Sequence, residues 1–144
     1  MLELYQKLIV DYSKATFQAK KPSIFFTQKR GWNRLCGDEI NIYLSGEKSH
    51  PEVWYDCRGC ALCKASCAIL VATQNLKPAA EMIQAFQFFT STDSTVLADP
   101  IRTLLTARKF PARLKCVTLA WQTLSTSLTD LAGNSQEDLY VTTE

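Results

Sequence analysis

The spacing of apolar residues changes character along the chain. Leu2, Tyr5, Leu8, Ile9 and Tyr12 recur at intervals of three and four, which predicts a helix over residues 2–15 with one buried stripe. Ile24, Phe25 and Phe26 predict a short strand over Ser23 to Thr27, and Gly31 and Asn33 predict a turn after it. Ile40, Ile42 and Leu44 alternate with Asn41 and Tyr43, the rhythm of a half-buried strand. A polar stretch from Ser45 to Pro51 predicts a loop, and Val53 to Tyr55 a third short strand. From Cys60 the rhythm becomes helical and almost wholly apolar, through Ala61, Leu62, Ala65, Ala68, Ile69, Leu70, Val71 and Ala72. Asn75 and Pro78 close that helix, and Ala79, Met82, Ile83, Phe86 and Phe89 make the stripe of the next. Residues 90–94 predict a linker and 95–107 a weak helical segment. Pro111 suits the first turn of a last helix, with Leu114, Val117, Leu119, Ala120, Leu124 and Leu128 on its apolar face and Gly133-Asn134 as its stop.

Strands are thus segregated from helices. The expected fold is α+β: a small three-stranded antiparallel sheet packed against several helices. A chain of 144 residues supports one domain with a full core, expected over 1–132, followed by a polar, flexible tail over 133–144. Its 47% hydrophobic and 21% charged content is that of an ordinary globular protein. A formal net charge of +2, from scattered basic residues, gives no footprint for nucleic acid. No apolar run is long enough to span a membrane, and the N-terminus has no secretory pattern, so a cytoplasmic location is expected.

Six cysteines in a reducing compartment point to metal ligands or reactive thiols rather than disulfides, with buried packing as the alternative for any one of them. Cys36-Gly37-Asp38 lies in a turn, where glycine lets the flanking thiol and carboxyl face one point. Cys60 opens a predicted helix, whose dipole favours a thiolate. Cys116 lies between Arg113-Leu114-Lys115 and the rest of the last helix, where cations lower a thiol pKa. Brought together, Cys36, Asp38, Cys60 and Cys116 would suit a tetrahedral zinc or a small iron–sulfur cluster. Asp38, the harder ligand, is the one able to give way, which suits exchange better than a permanent structural site. A competing pattern, Cys57-x2-Cys60-x2-Cys63-x3-Cys67, has the spacing of a ferredoxin-type cluster loop. It lacks the following proline and a second copy, and its segment reads as a helix, with Cys60, Cys63 and Cys67 on one face.

Several blocks together resemble the NifU/IscU/SufU family. They are Leu4-Tyr5 with Ile9-Val10-Asp11-Tyr12, Asn33-x2-Cys36-Gly37-Asp38, Gly59-Cys60-Ala61-Leu62 with Ala65-Ser66, and Phe110 to Trp121. The segment 95–110 resembles the insertion of the SufU branch, as does Lys115 where IscU proteins carry histidine. The resemblance implies a compact α+β domain acting in iron–sulfur cluster assembly. In the SufU manner it would be a zinc-bound sulfur acceptor for a pyridoxal-phosphate cysteine desulfurase, serving downstream cluster assembly proteins. Such a protein is sulfurtransferase-like rather than a turnover enzyme of the usual kind. In the IscU manner it would be a scaffold for a [2Fe–2S] cluster. A structural zinc-binding interaction module is the remaining alternative. The resemblance makes Cys36, Asp38, Cys60 and Cys116 the metal ligands, Cys36 the sulfur acceptor and Cys116 the alternative acceptor.

The chain departs from the family pattern at Cys57, where a glycine is usual, at Cys63 and Cys67, where small or hydroxyl residues are usual, and at Arg34-Leu35 and Tyr12. Cys57 is the expected extra ligand or sulfur relay, and Cys63 and Cys67 the expected core residues. Arg113 is a candidate partner contact or a helix-face residue. His50, the one histidine, is expected to be solvated in a polar loop; Trp121 is expected in the core, and Trp32 and Trp54 in packing or partner contact.

Overall fold

A computed structural model describes residues 2–89, 99–133 and 140–142. Helix α1 (Leu2–Ser13) leads to strands β1 (Thr27–Asn33), β2 (Asp38–Glu47) and β3 (His50–Arg58). Helices α2 (Ala61–Gln74) and α3 (Ala79–Gln84) follow, the latter running into a 3₁₀ turn over Ala85–Phe89. After α4 (Asp99–Leu105) and a second 3₁₀ turn (Thr106–Lys109) comes α5 (Pro111–Gly133), and a short strand β4 spans Tyr140–Thr142. The three antiparallel strands are those expected of the α+β class, in the order β3-β2-β1-β4. The fourth lies within the segment read as a tail, where Tyr140–Thr142 pairs parallel to β1. The read linker 90–94 and residues 95–98 lie outside the described residues.

One face of the sheet carries the core. On β2 the inward row is Asp38, Ile40, Ile42 and Leu44, and on β3 it is Pro51, Val53, Tyr55 and, half-buried, Cys57. Helices α2 and α5 pack on this face, and α1 packs on α2. As its composition predicts, α2 is buried on nearly all sides, from Cys63 through Val71. Ser66 Oγ donates to the Val117 carbonyl at 2.6 Å and accepts from Trp121 Nε1 at 2.9 Å, so a closed polar link joins α2 to α5 inside the core.

The first strand is displaced from its expected place. Ile24 is 82% exposed, and the ladder starts only at Thr27 and runs through Gly31 and Asn33, the residues read as a turn. The inward row of this strand is Lys29, Gly31 and Asn33, none of them a hydrophobic residue. Lys29 Nζ pairs with Asp130 of α5 at 2.7 Å. A Cβ on Gly31 would collide with Thr123 Oγ1, so glycine is what lets α5 lie so close. The stretch read as a loop over 45–51 is mostly strand, because β2 and β3 pair out to Glu47 and His50 across a two-residue turn. Gly46 there has φ +78°.

Between Pro51 and Tyr55 the outer backbone groups of β3 are taken. Gln18 accepts from the Tyr55 N–H at 3.0 Å through its own carbonyl, and its side-chain amide donates to the Val53 carbonyl at 2.5 Å. Asn75 Oδ1 accepts from the Val53 N–H at 2.8 Å, and the Leu76 N–H donates to the Pro51 carbonyl at 3.0 Å.

Candidate metal centre

The inward rows of the strands end together. Asn33 closes β1, Asp38 opens β2 directly opposite it, and Cys57 stands across from Ile40 near the end of β3. The starts of α2 and α5 meet this end of the sheet and bring four of the sequence-predicted residues into one neighbourhood. Ligand atoms of Cys36, Asp38 and Cys116 all lie within 4.8 Å of one another, with Cys116 Sγ 3.2 Å from Cys36 Sγ. Cys60 joins through Asp38: its backbone N–H donates to Oδ1 at 2.9 Å, and its Sγ lies 3.7 Å from Oδ2.

Each residue is held by a local device. Cys36 sits in the tight turn between β1 and β2, where Gly37 adopts φ +72° and its N–H donates to the Asn33 carbonyl at 2.8 Å. Cys60 is the N-cap of α2, in extended conformation, and its sulfur accepts from the Cys63 N–H at 3.4 Å. Cys116 lies one turn into α5, on the side facing the sheet. Gly59 is required by its neighbour, since a Cβ there would run into Asp38 Oδ1. Asn33, fully buried, reaches across with Nδ2 3.5 Å from Cys116 Sγ, while its Oδ1 accepts from the Leu35 N–H at 3.2 Å. The sequence marked Asn33 as a turn residue and as part of a motif, with no sign that its amide faces a thiol.

Burial divides the group. Asp38 is fully buried and Cys116 4% exposed, whereas Cys36 and Cys60 are exposed. A hydrogen bond from Cys116, then backbone N–H groups at the helix start, bring the Cys60 thiol down to about 7 against burial and the Asp38 charge. The same bond, with burial, pushes the Cys116 thiol up. Three thiols and a buried carboxyl, cradled by a glycine, form a donor set that fits a tetrahedral zinc, and their sulfur majority also fits an iron–sulfur cluster.

The remaining cysteines group elsewhere. Cys57, Cys63 and Cys67 place their sulfurs within 4.8 Å of one another, with Cys57 Sγ 3.6 Å from Cys63 Sγ. Cys57, the expected extra ligand, is thus placed with this buried pair. Cys60, in the middle of the ferredoxin-like spacing, turns to Asp38. Hydrogen bonds from Cys63 and Cys67 bring the Cys57 thiol down to about 4, and the same contacts hold Cys63 and Cys67 protonated.

Arg113 is exposed at the start of α5, with its guanidinium 5.1 Å from the centre of the Phe110 ring. His50 is exposed at the hairpin end of β3, away from the cysteines, and Trp121 is in the core. Trp32 is half-buried under Arg34, and Trp54 is half-buried with its Nε1 3.4 Å from Glu52. Among the described residues, no helix is long and apolar enough to cross a membrane.

No family model matches the chain. It is 24% identical over 138 residues to the iron–sulfur cluster assembly scaffold protein IscU of Thermotoga maritima, covering 87% of this chain and 92% of that protein. It is 28% identical over 111 residues to the zinc-dependent sulfurtransferase SufU of Bacillus subtilis, covering 72% and 75%. Among solved structures, a SufU described as an iron–sulfur cluster assembly scaffold from Fervidobacterium islandicum superposes with a TM-score of 0.76. That pair is 28% identical, and the match covers 88% of this chain and 97% of the other. The resemblance read from short motifs therefore extends to whole-chain sequence and to fold, and SufU proteins stand on both sides of it.

Proposed function

From this kinship with the IscU and SufU proteins, we propose that the chain acts in iron–sulfur cluster assembly as a zinc-bound acceptor of sulfur from a pyridoxal-phosphate cysteine desulfurase. Cys36, Asp38, Cys60 and Cys116 would hold the ion. Bound zinc would keep the thiols unprotonated and shielded until a partner docks. The observation that supports Cys36 as the acceptor is its exposure at the turn beside buried Cys116. Its thiolate attacks the outer sulfur of the desulfurase persulfide. A sulfur–sulfur bond forms to Cys36 as the one in the desulfurase breaks, and the desulfurase cysteine leaves as a thiolate. Exposed Leu35 beside Cys36, and exposed Phe110 with Arg113, offer an apolar and cationic contact for the desulfurase.

A single-turnover transfer assay tests this reading. Cys36→Ala is expected to abolish sulfur uptake, and a variant that still gains sulfur excludes Cys36 as sole acceptor and moves the role to Cys116. The scaffold reading rests on the same ligands and on the IscU relative. Metal analysis of protein purified without oxygen separates the two: colourless protein with zinc supports the acceptor, and brown protein with iron and sulfide supports the scaffold. Failure to activate a desulfurase at all would favour a structural zinc module.

A further inference from the structure

The second sulfur cluster is not used by the reading above. Cys57 reaches it as the last inward residue of β3, in line with Val53 and Tyr55. Cys63 and Cys67 reach it from one face of α2, four residues apart. Both are fully buried and Cys57 is half-buried, so the group has one open side, at the strand end. If these thiols were only small apolar fillers, nothing would require three sulfurs from two elements to converge within 4.8 Å. Their donors are all soft, without nitrogen or oxygen, and soft thiolates select copper(I), zinc and iron–sulfur clusters. A structural zinc asks for four ligands in a tetrahedron, and Cys60 is turned away to Asp38.

We propose that Cys57, Cys63 and Cys67 form a second, all-sulfur metal site that takes one soft ion in three-coordination, copper(I) being the ion that fits. The site stands on its own geometry, whatever the first centre does. Its electrostatics touch that centre, because the Asp38 charge acts on both Cys57 and Cys67.

The test uses full-length, reduced protein titrated with copper(I) against a chromophoric chelator without oxygen. The Cys36→Ser/Cys116→Ser variant, which lacks the first cluster, is expected to keep one tightly held copper, with an X-ray absorption spectrum of three sulfur neighbours. Adding Cys57→Ser is expected to weaken that binding by more than about tenfold. Changes at Cys63 and Cys67 can unfold the core, so the second readout is alkylation of the unsubstituted chain. Cys57 should be modified in metal-free protein and protected by copper(I). Loss of the copper with Cys36 and Cys116, unchanged copper affinity after Cys57→Ser, equal alkylation of Cys57 with and without copper, or uptake of zinc alone in four-coordination would each overturn the assignment.

Discussion

At the first centre Gly59 leaves no room for a side chain against Asp38, and this gives a mutational test. Gly59→Ala would drive a Cβ into the carboxyl of Asp38, a close-packed conflict costing about 1–3 kcal/mol. It is expected to lower zinc content as well as the melting temperature. Gly46→Ala is the control: its φ of +78° strains an alanine by about 1–2 kcal/mol, but it lies at the far hairpin end and the new methyl would meet only Glu52 at ordinary contact distance. That variant is expected to lose stability and keep its metal, as plasma emission analysis beside a melting curve would show. A pH test belongs to Cys60. The thiolate is the reactive form, and its pKa lies down at about 7, so in metal-free protein its alkylation rate is expected to rise with pH and reach half its plateau near that value. Cys116, pushed the other way, should stay slow throughout; mass-resolved labelling rates check both.

At the scale of elements, legibility followed apolar residues. The helices α2 and α5 were readable because their buried faces are made of Ala, Ile, Leu and Val at helical spacing. Strand β1 was not, because its inward positions are Lys29, Gly31 and Asn33, filled for an ion pair, a close helix approach and a thiol contact. The exposed half of the β2–β3 hairpin was read as loop for a related reason: backbone pairing continues where side chains are polar. Ser66 ties α2 to α5 by two hydrogen bonds inside the apolar core. Ser66→Ala leaves the buried Trp121 Nε1–H without that acceptor and the Val117 carbonyl without its added side-chain donor, a loss of about 1–3 kcal/mol expected as a lower urea midpoint. Because Cys60 and Cys116 ride on these two helices, the same variant is expected to bind zinc more weakly.

Across the whole molecule, the proposed ligands come from the β1–β2 turn, the start of α2 and the start of α5, so an ion held by them cross-links distant parts of the chain. A ligand at a hundred times its dissociation constant stabilises by about 2.7 kcal/mol. Stripping zinc with a chelator is therefore expected to lower the melting temperature by about 5–10 °C at that loading. That Cys36, Asp38, Cys60 and Cys116 converge was legible through the family resemblance, because three cysteines so far apart in the chain carry no motif of their own. The trio of Cys57, Cys63 and Cys67 was not, because its convergence depends on the inward row of β3 reaching Cys57 beside one face of α2, and the third strand was read only as far as Tyr55.

The way Gln18, Asn75 and Leu76 occupy the rim of β3 restricts how other proteins can take hold of this one. A bare strand border is a template on which a foreign segment can polymerise or dock by extending the ladder. Along Pro51 to Tyr55 that template is already spent on the chain's own side chains and loops. Strand addition there would have to evict Gln18 and Asn75 first, so the proposed desulfurase would dock by the shape and charge of the turn and helix tips around the cysteines rather than by lengthening this strand.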